Sequence, residues 1–143
     1  LAAVTDFLDQ AHHNPQALVC GYPIYDQTVP LSRLWGRELT NFWVHVNTRS
    51  KALRDAMCGF RVYPLAQTLP VLPSVKTRRM DFDPDIVVRL IWAGVTVINR
   101  PVRVTYPKDG ISHFRGFSDN MRISRLHAGH FCTMLLRRMG LAK

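Results

Sequence analysis

The sequence predicts an α/β layer fold, a small sheet flanked by helices, on three observations. The all-apolar run Ala17-Leu18-Val19-Cys20-Gly21 follows a turn and has the length and composition of a strand buried on both faces of a parallel sheet. Segments with helical apolar spacing alternate with strand-like runs in the order helix, strand, helix, strand, helix, strand pair, helix. The strands are few for a doubly wound sheet, and the chain starts at Leu1 without a methionine, already inside a helical pattern, so we expect a part of a larger sheet. The 143 residues suit one domain with a real core, without repeats, low-complexity segments or a second boundary.

In chain order, Val4, Phe7, Leu8 and Ala11 recur at helical spacing, and His12-His13-Asn14-Pro15 ends that helix because the residue before proline is pushed out of the helical region. The two adjacent histidines point in different directions near a helix end and read as solvated surface rather than a metal pair. After the first strand, Tyr22 to Pro30 reads as a long loop at a strand's carboxyl end, where α/β sheets bind ligands, with Asp26 as a turn residue. Ser32 suits the N-cap of a helix from Arg33 to about Asn47, with Trp35, Leu39, Phe42, Trp43 and Val46 as its apolar stripe. Arg33 and Arg37 lie one turn apart, a spacing that suits either two solvated arginines or a bidentate grip on a phosphate.

Arg61 to Tyr63 reads as a strand closed by Pro64, and Leu65 to Pro73 as a short helical turn followed by loop. Lys76, Arg78 and Arg79 make Val75 to Met80 a basic connector. Asp81 or Asp83 caps a helix with Pro84 in its first turn, Ile86, Val87, Leu90 and Ile91 as its buried face and Gly94 as its stop. Val95 to Asn99 and Val102 to Tyr106 read as two strands broken at Arg100-Pro101, before an Asp109-Gly110 turn. Ile111 to Arg115 is a polar-aromatic loop. Ser118 or Asp119 caps a basic last helix that reaches Met139 and stops at Gly140, with Met121, Ile123, Leu126, Phe131, Met134 and Leu135 as its apolar set.

With 47% hydrophobic and 20% charged residues the chain reads as globular, and 19 Lys+Arg against 10 Asp+Glu give a net charge of +9. That surplus favours anionic partners: nucleic acid, phosphorylated substrates or an anionic membrane surface. Cys20, Cys58 and Cys132 are odd in number and far apart, and they read as reduced, mostly buried thiols of a cytoplasmic protein. No run approaches the ~20 apolar residues of a membrane span, so any membrane contact, at the inner face, would be peripheral or made by parts outside this chain; the basic last helix suits packing against the sheet or lying along an anionic membrane surface.

The chain centres on Leu53 to Pro64. A carboxylate, a small-residue turn and an arginine set in an apolar strand fall together there, where a plain strand carries neither charge nor glycine. The pattern Asp55-x-x-x-Gly59-Phe60-Arg61-x-Tyr63 resembles a segment of family 2 glycosyltransferases and is similar to the branch that includes polyprenyl-phosphate sugar transferases. The ordered series Gly21-Tyr22-Pro23, Arg33 to Asn41, Asp55 to Tyr63, Phe82 to Arg89, Gly94 to Pro101 and Tyr106 to Arg115 extends the likeness over nearly the whole chain. It implies the acceptor-side, C-terminal half of a GT-A nucleotide-diphosphosugar transferase domain.

The resemblance implies an inverting transfer from a nucleotide-diphosphosugar donor to an unidentified acceptor, lipid-linked or a cell-envelope glycan. It implies a divalent metal, Mg2+ or Mn2+, held by an Asp-x-Asp that in the family precedes a segment like Leu1 to Val19; Asp83-Pro84-Asp85 lies on a later helix and does not carry that role. Asp55 becomes the acceptor-side carboxylate, as base or positioning group, with a turn-capping aspartate as the alternative. Arg33 and Arg37 match arginines that face an acceptor phosphate. Gly21-Tyr22-Pro23 stands where the family often has Gly-Ser-Arg, which removes one phosphate-binding arginine. Arg61 orients the Asp55 loop, and Asp85 anchors the site through an arginine. Ser112, His113 and Arg115 lie on a loop that could close over the leaving diphosphate, with His113 either a metal ligand or a hydrogen-bonded loop residue. The alternative from another class is a non-catalytic basic module for a nucleic-acid or protein partner. Nucleic acid is not expected, because the positive residues are spread along the chain and match no nucleic-acid motif. An exposed sheet edge would favour a homo-oligomer.

Overall fold

The computed structural model describes residues 2–26, 29, 31–105 and 116–141, apart from the side chains of Ser32 and Arg33. The elements are α1 (Ala2–His13), β1 (Leu18–Tyr25), α2 (Leu31–Thr48), β2 (Arg61–Val62), α3 (Leu65–Val71) with a 3₁₀ turn (Leu72–Ser74), α4 (Phe82–Trp92), β3 (Val97–Val104) and α5 (Gly116–Arg138). The three described strands form one mixed sheet in the order β2-β1-β3. β1 runs parallel to β3 from the pair Leu18–Val97 to the pair Tyr25–Val104, and antiparallel to β2 at Val19–Val62 and Cys20–Arg61.

As the apolar run predicts, Leu18, Val19 and Cys20 are fully buried. Leu18 and Cys20 join Val44 of α2, Leu53, Ala56, the α4 residues Ile86, Val87, Val88 and Leu90, and Val95 in the main core cluster. Val19 faces the other way, toward α1, whose buried Phe7 meets the Phe60 ring edge-on at 4.6 Å. Residues 84–88 and 90 of α4 are all buried, which adds Val88 to the predicted face and leaves Ile91 only half-buried. Gly94, at φ +83°, ends α4 as predicted, with its N–H on Ile91 O and the Val95 N–H on Leu90 O.

Four boundaries differ from the sequence reading; one is the start of α5, which includes Gly116, so that Ser118 and Asp119 lie inside the helix and neither is its N-cap. Tyr22 to Tyr25 continue β1 instead of opening a loop, because the parallel ladder to β3 runs on to Tyr25. Residues 97–104 form one strand, not two broken at Arg100-Pro101. Pro101 sits on a strand whose one described neighbour is β1, and Pro23 lies beyond the β2 pairing; at such positions a missing N–H costs no ladder bond. α2 starts at Leu31, so Ser32 is inside the helix and is not its N-cap.

The long helices also bury different faces from those their apolar residues predict. On α2 the predicted stripe residues Trp35, Leu39 and Phe42 are exposed, while Thr40, Asn41, Val44 and Asn47 are buried. On α5 the buried positions are Asp119, Ile123, His127 and His130, and Met121, Phe131 and Leu135 are exposed. Cys20 and Cys58 are buried as expected, whereas Cys132 is exposed; all three are free thiols. Among the described residues no helix is long and apolar enough to cross a membrane.

Gly21 is the tightest point of the sheet. Its N–H donates to Phe60 O at 2.9 Å, and a Cβ there would lie 2.9 Å from that oxygen, 3.0 Å from Cys58 Sγ and 3.0 Å from a Val102 methyl. Gly21→Ala should therefore lower stability by about 1–3 kcal/mol through backbone displacement at residues 58–60. Chemical denaturation with an unchanged midpoint would show that the strand yields without cost.

Candidate functional site

Residues 53–60 have no regular secondary structure, yet side chains from α2, β2 and β3 hydrogen-bond their backbone. On α2, Arg37, Asn41 and His45 lie at successive four-residue intervals and form a polar stripe against this segment. Arg37 Nη1 donates to Asp55 Oδ1 at 2.6 Å, Asn41 Oδ1 accepts from the Ala56 N–H at 2.9 Å, and His45 Nε2 donates to Leu53 O at 2.7 Å. From β3, Asn99 accepts the Arg54 N–H at 2.9 Å and donates to Ala52 O at 2.7 Å. Within the segment, Asp55 Oδ1 also accepts the N–H groups of Met57 (2.9 Å) and Cys58 (2.6 Å), an Asx-type turn.

Arg61 closes the arrangement from β2. Its side chain is 0% exposed; Nη2 donates to Ala56 O at 2.7 Å, and Nη1 to Asp83 Oδ1 at 3.0 Å, Asp83 O at 3.2 Å and the Tyr63 hydroxyl at 3.3 Å. Burial opposes the guanidinium charge, but Tyr63, Cys20 and Asp83 around it outweigh that and raise its pKa. The nearby thiols are held protonated: burial pushes Cys20 up to about 12 and raises Cys58. Neither suits a nucleophile.

The turn sits at the carboxyl end of β1. The Arg37 guanidinium lies 5.6 Å from the ring centre of Tyr25, the last residue of that strand, and Arg54 lies 4.3 Å over the Tyr22 ring. Asp55 is 3% exposed, and its three donors converge on Oδ1, while no described residue donates to Oδ2. The carboxylate therefore does two things. One oxygen fixes the turn, and the other is the atom through which it could take a proton or a hydrogen bond.

Of the residues singled out in the sequence, Asp55, Arg37 and Arg61 belong to one hydrogen-bonded unit. Arg33 lies on α2, but its side chain is outside the described residues, as are Ser112, His113 and Arg115 with their loop. Arg37 Nη1 is engaged in an ion pair with Asp55, and whether Arg33 joins it lies outside the described residues. Asp85 stands apart from the turn. It does act through an arginine, Arg89 (Nε to Oδ1, 2.6 Å), but its other partners are Thr77 (2.9 Å) and His130 (2.9 Å). Asn41, His45, Asn99 and Asp83 were missed as parts of the site. The four-residue spacing of Arg37, Asn41 and His45 was the available signal. Among the described residues no group of three or more His, Cys, Asp or Glu could hold a metal ion. Comparison with protein-family models, with curated proteins and with solved structures finds no match.

A second polar cluster lies under α5. Asp85 and His130 are both buried, and burial, which would push the Asp85 carboxyl up, is outweighed by its bonds to His130, Arg89 and Thr77, which hold it low. Next to them, His127 is buried against Trp43 with both ring nitrogens unpaired, and burial, with His130 nearby, pushes it down to about 4 from an ordinary 6.5. The unfolded chain then binds this proton where the folded protein does not. The contribution of neutral His127 is whole above pH 6.5 and is lost as pH falls toward 4, up to roughly 3 kcal/mol. His127→Leu should flatten the stability profile across that window in urea denaturation; parallel wild-type and variant profiles would remove His127 from the acid response.

Proposed function

We propose that this chain is the acceptor-side half of a family 2 glycosyltransferase domain, transferring a sugar from a nucleotide-diphosphosugar to an acceptor. The observation that carries this reading is the Asp55 turn: a buried carboxylate with one oxygen to which no described residue donates, in a turn locked by Arg37 and Arg61 at the carboxyl end of a central strand. Ligands of open α/β sheets bind at such ends. The segment that carries the resemblance is also one that side chains of α2, β2 and β3 hold in place, as a group that must be preorganised would be. The outward apolar residues of α2, with Trp35 at 76% exposed, support a part-domain whose remaining surface is covered by further structure.

In this reading Asp55 Oδ2 accepts the proton of an acceptor hydroxyl as the oxygen attacks the anomeric carbon, or orients an acceptor that is already ionised. Arg37 keeps the carboxylate aimed, and Arg61 keeps the turn in place, so both are positioning residues. A divalent metal would be bound by residues other than Asp55, Arg37 and Arg61. The donor half, a peripheral membrane contact of α5, a cytoplasmic location and self-association through the sheet edge belong to the same proposal.

The saturation of Asp55 Oδ1 by three donors favours one rival, an interaction domain that retains the turn for structure alone. The two readings separate on Asp55→Asn, which keeps an Oδ1 acceptor for the Met57 and Cys58 N–H groups but removes the carboxylate. In the full-length protein, turnover of nucleotide-sugar should fall by ~10²-fold or more. Near-normal turnover removes Asp55 from the chemistry and brings the interaction domain forward.

A further inference from the structure

The C-terminal ends of α2, α4 and α5 converge on a cavity of about 210 Å³ bordered by Thr48, Arg49, Trp92, Met134, Arg137 and Arg138. It belongs to neither polar cluster above. Three arginines share it, and among the described residues no carboxylate pairs with any of them. Helix C-termini attract cations, but each supplies only about half a negative charge, so three ends offset about half of three guanidinium charges. A net positive, partly enclosed site remains.

Two features show that the site is built. Arg137 and Trp92 are fixed: Trp92 Nε1 donates to Asn47 O at 3.0 Å, Arg137 Nη2 donates to Trp92 O at 3.2 Å, and the Arg137 guanidinium lies 5.3 Å from the Trp92 ring centre. Arg49 stands where a helix stop favours glycine. Its N–H bonds Val46 O and the Ser50 N–H bonds His45 O, the paired bonds that close a helix around a left-handed residue, and its φ is +53°. The other two such stops, Gly94 and Gly140, use glycine. Arginine in that conformation costs on the order of 1 kcal/mol, and strain of this kind gathers at functional positions.

We propose that Arg49, Arg137 and Arg138 form a binding site for a phosphate group, with Trp92 and Met134 as its apolar wall. Guanidinium forks match phosphate oxygens, and the volume falls below the ~300 Å³ of sites for drug-sized ligands, so the ligand enters by its phosphate rather than as a large body. The phosphate is carried by a soluble ion or by a lipid headgroup. Exposed Leu136, Met139 and Leu141 beside the site would lie against the lipid in the second case. The headgroup case shares the α5 membrane contact of the proposed function, whereas binding of a soluble phosphate does not depend on the glycosyl-transfer reading.

The test uses the intact protein in phosphate-free buffer at constant salt. Inorganic phosphate is titrated by calorimetry, and vesicles of phosphatidylcholine with and without phosphatidic acid are tested by co-sedimentation. Binding of free phosphate supports a soluble ligand; binding of phosphatidic acid vesicles alone supports a headgroup. In either case Arg49→Gly and Arg138→Ala should each weaken binding by ~10-fold or more, the loss of one charge-assisted contact. Arg122→Ala, the same charge change at an exposed α5 position, should leave binding within ~2-fold. Arg49→Gly relieves the left-handed strain and should not lower the melting temperature, which separates lost binding from lost folding. No binding of either probe, or equal weakening by Arg122→Ala, overturns the proposal.

Discussion

The constraint on which the rest of this structure depends is the burial of the Arg61 guanidinium. A charge with no exposed side-chain surface needs acceptors, and Arg61 obtains them from three places: Ala56 O in the turn, Asp83 at the start of α4, and the hydroxyl of Tyr63, just past the end of β2. Those bonds fix the distance between the turn and α4, and α4 supplies four of the ten residues of the main core cluster, more than any other element. Breaking a buried pair by removing one partner costs about 3–5 kcal/mol, because the survivor is left charged and desolvated. Lysine would be a poor substitute, since one ammonium cannot span acceptors that Arg61 meets with two nitrogens of a planar fork.

From this follows the polarity of α2. A helix packed on an irregular segment faces unpaired carbonyls and N–H groups, and each must find a partner or cost about 1–3 kcal/mol. Arg37, Asn41 and His45 supply those partners, so the face that packs inward is hydrogen-bonding and the apolar residues Trp35, Leu39 and Phe42 point out. The turn is thereby held by side chains rather than by a ladder. This makes it rigid without making it a strand, a condition suited to a carboxylate that has to keep one oxygen aimed.

Where local rules decide the outcome, the sequence was legible. Pro15 ends α1, Pro84 and Gly94 bracket α4, and an uninterrupted apolar run made β1 a buried strand. The course of residues 22–25 and 97–104 was not legible, because Pro23 and Pro101 look like breakers unless the unpaired side of each strand is known, and that depends on strand order. The face of α2 was misjudged for a related reason. Apolar periodicity reports which side would be buried against an apolar neighbour, whereas here the neighbour is exposed backbone. The Asp55-to-Arg61 grouping could be read from its residue types, but the clamps from Asn41, His45 and Asn99 are 8 to 45 positions from the groups they bond and become visible only in the fold.

The same bonds explain where the positive charge goes. Five of the ten acidic residues, Asp6, Asp55, Asp83, Asp85 and Asp119, are paired to arginines that join separate elements or span one helical turn. Each pair cancels itself, so the surplus of +9 is carried by the other basic residues, 14 against the 5 other acidic ones. Such a surplus is worth little between scattered exposed residues, because salt screens them over about 10 Å. It gains force where guanidinium groups share a partly enclosed space, as Arg49, Arg137 and Arg138 do. A uniformly basic surface would attract any polyanion, whereas three arginines around one cavity select for a single compact one.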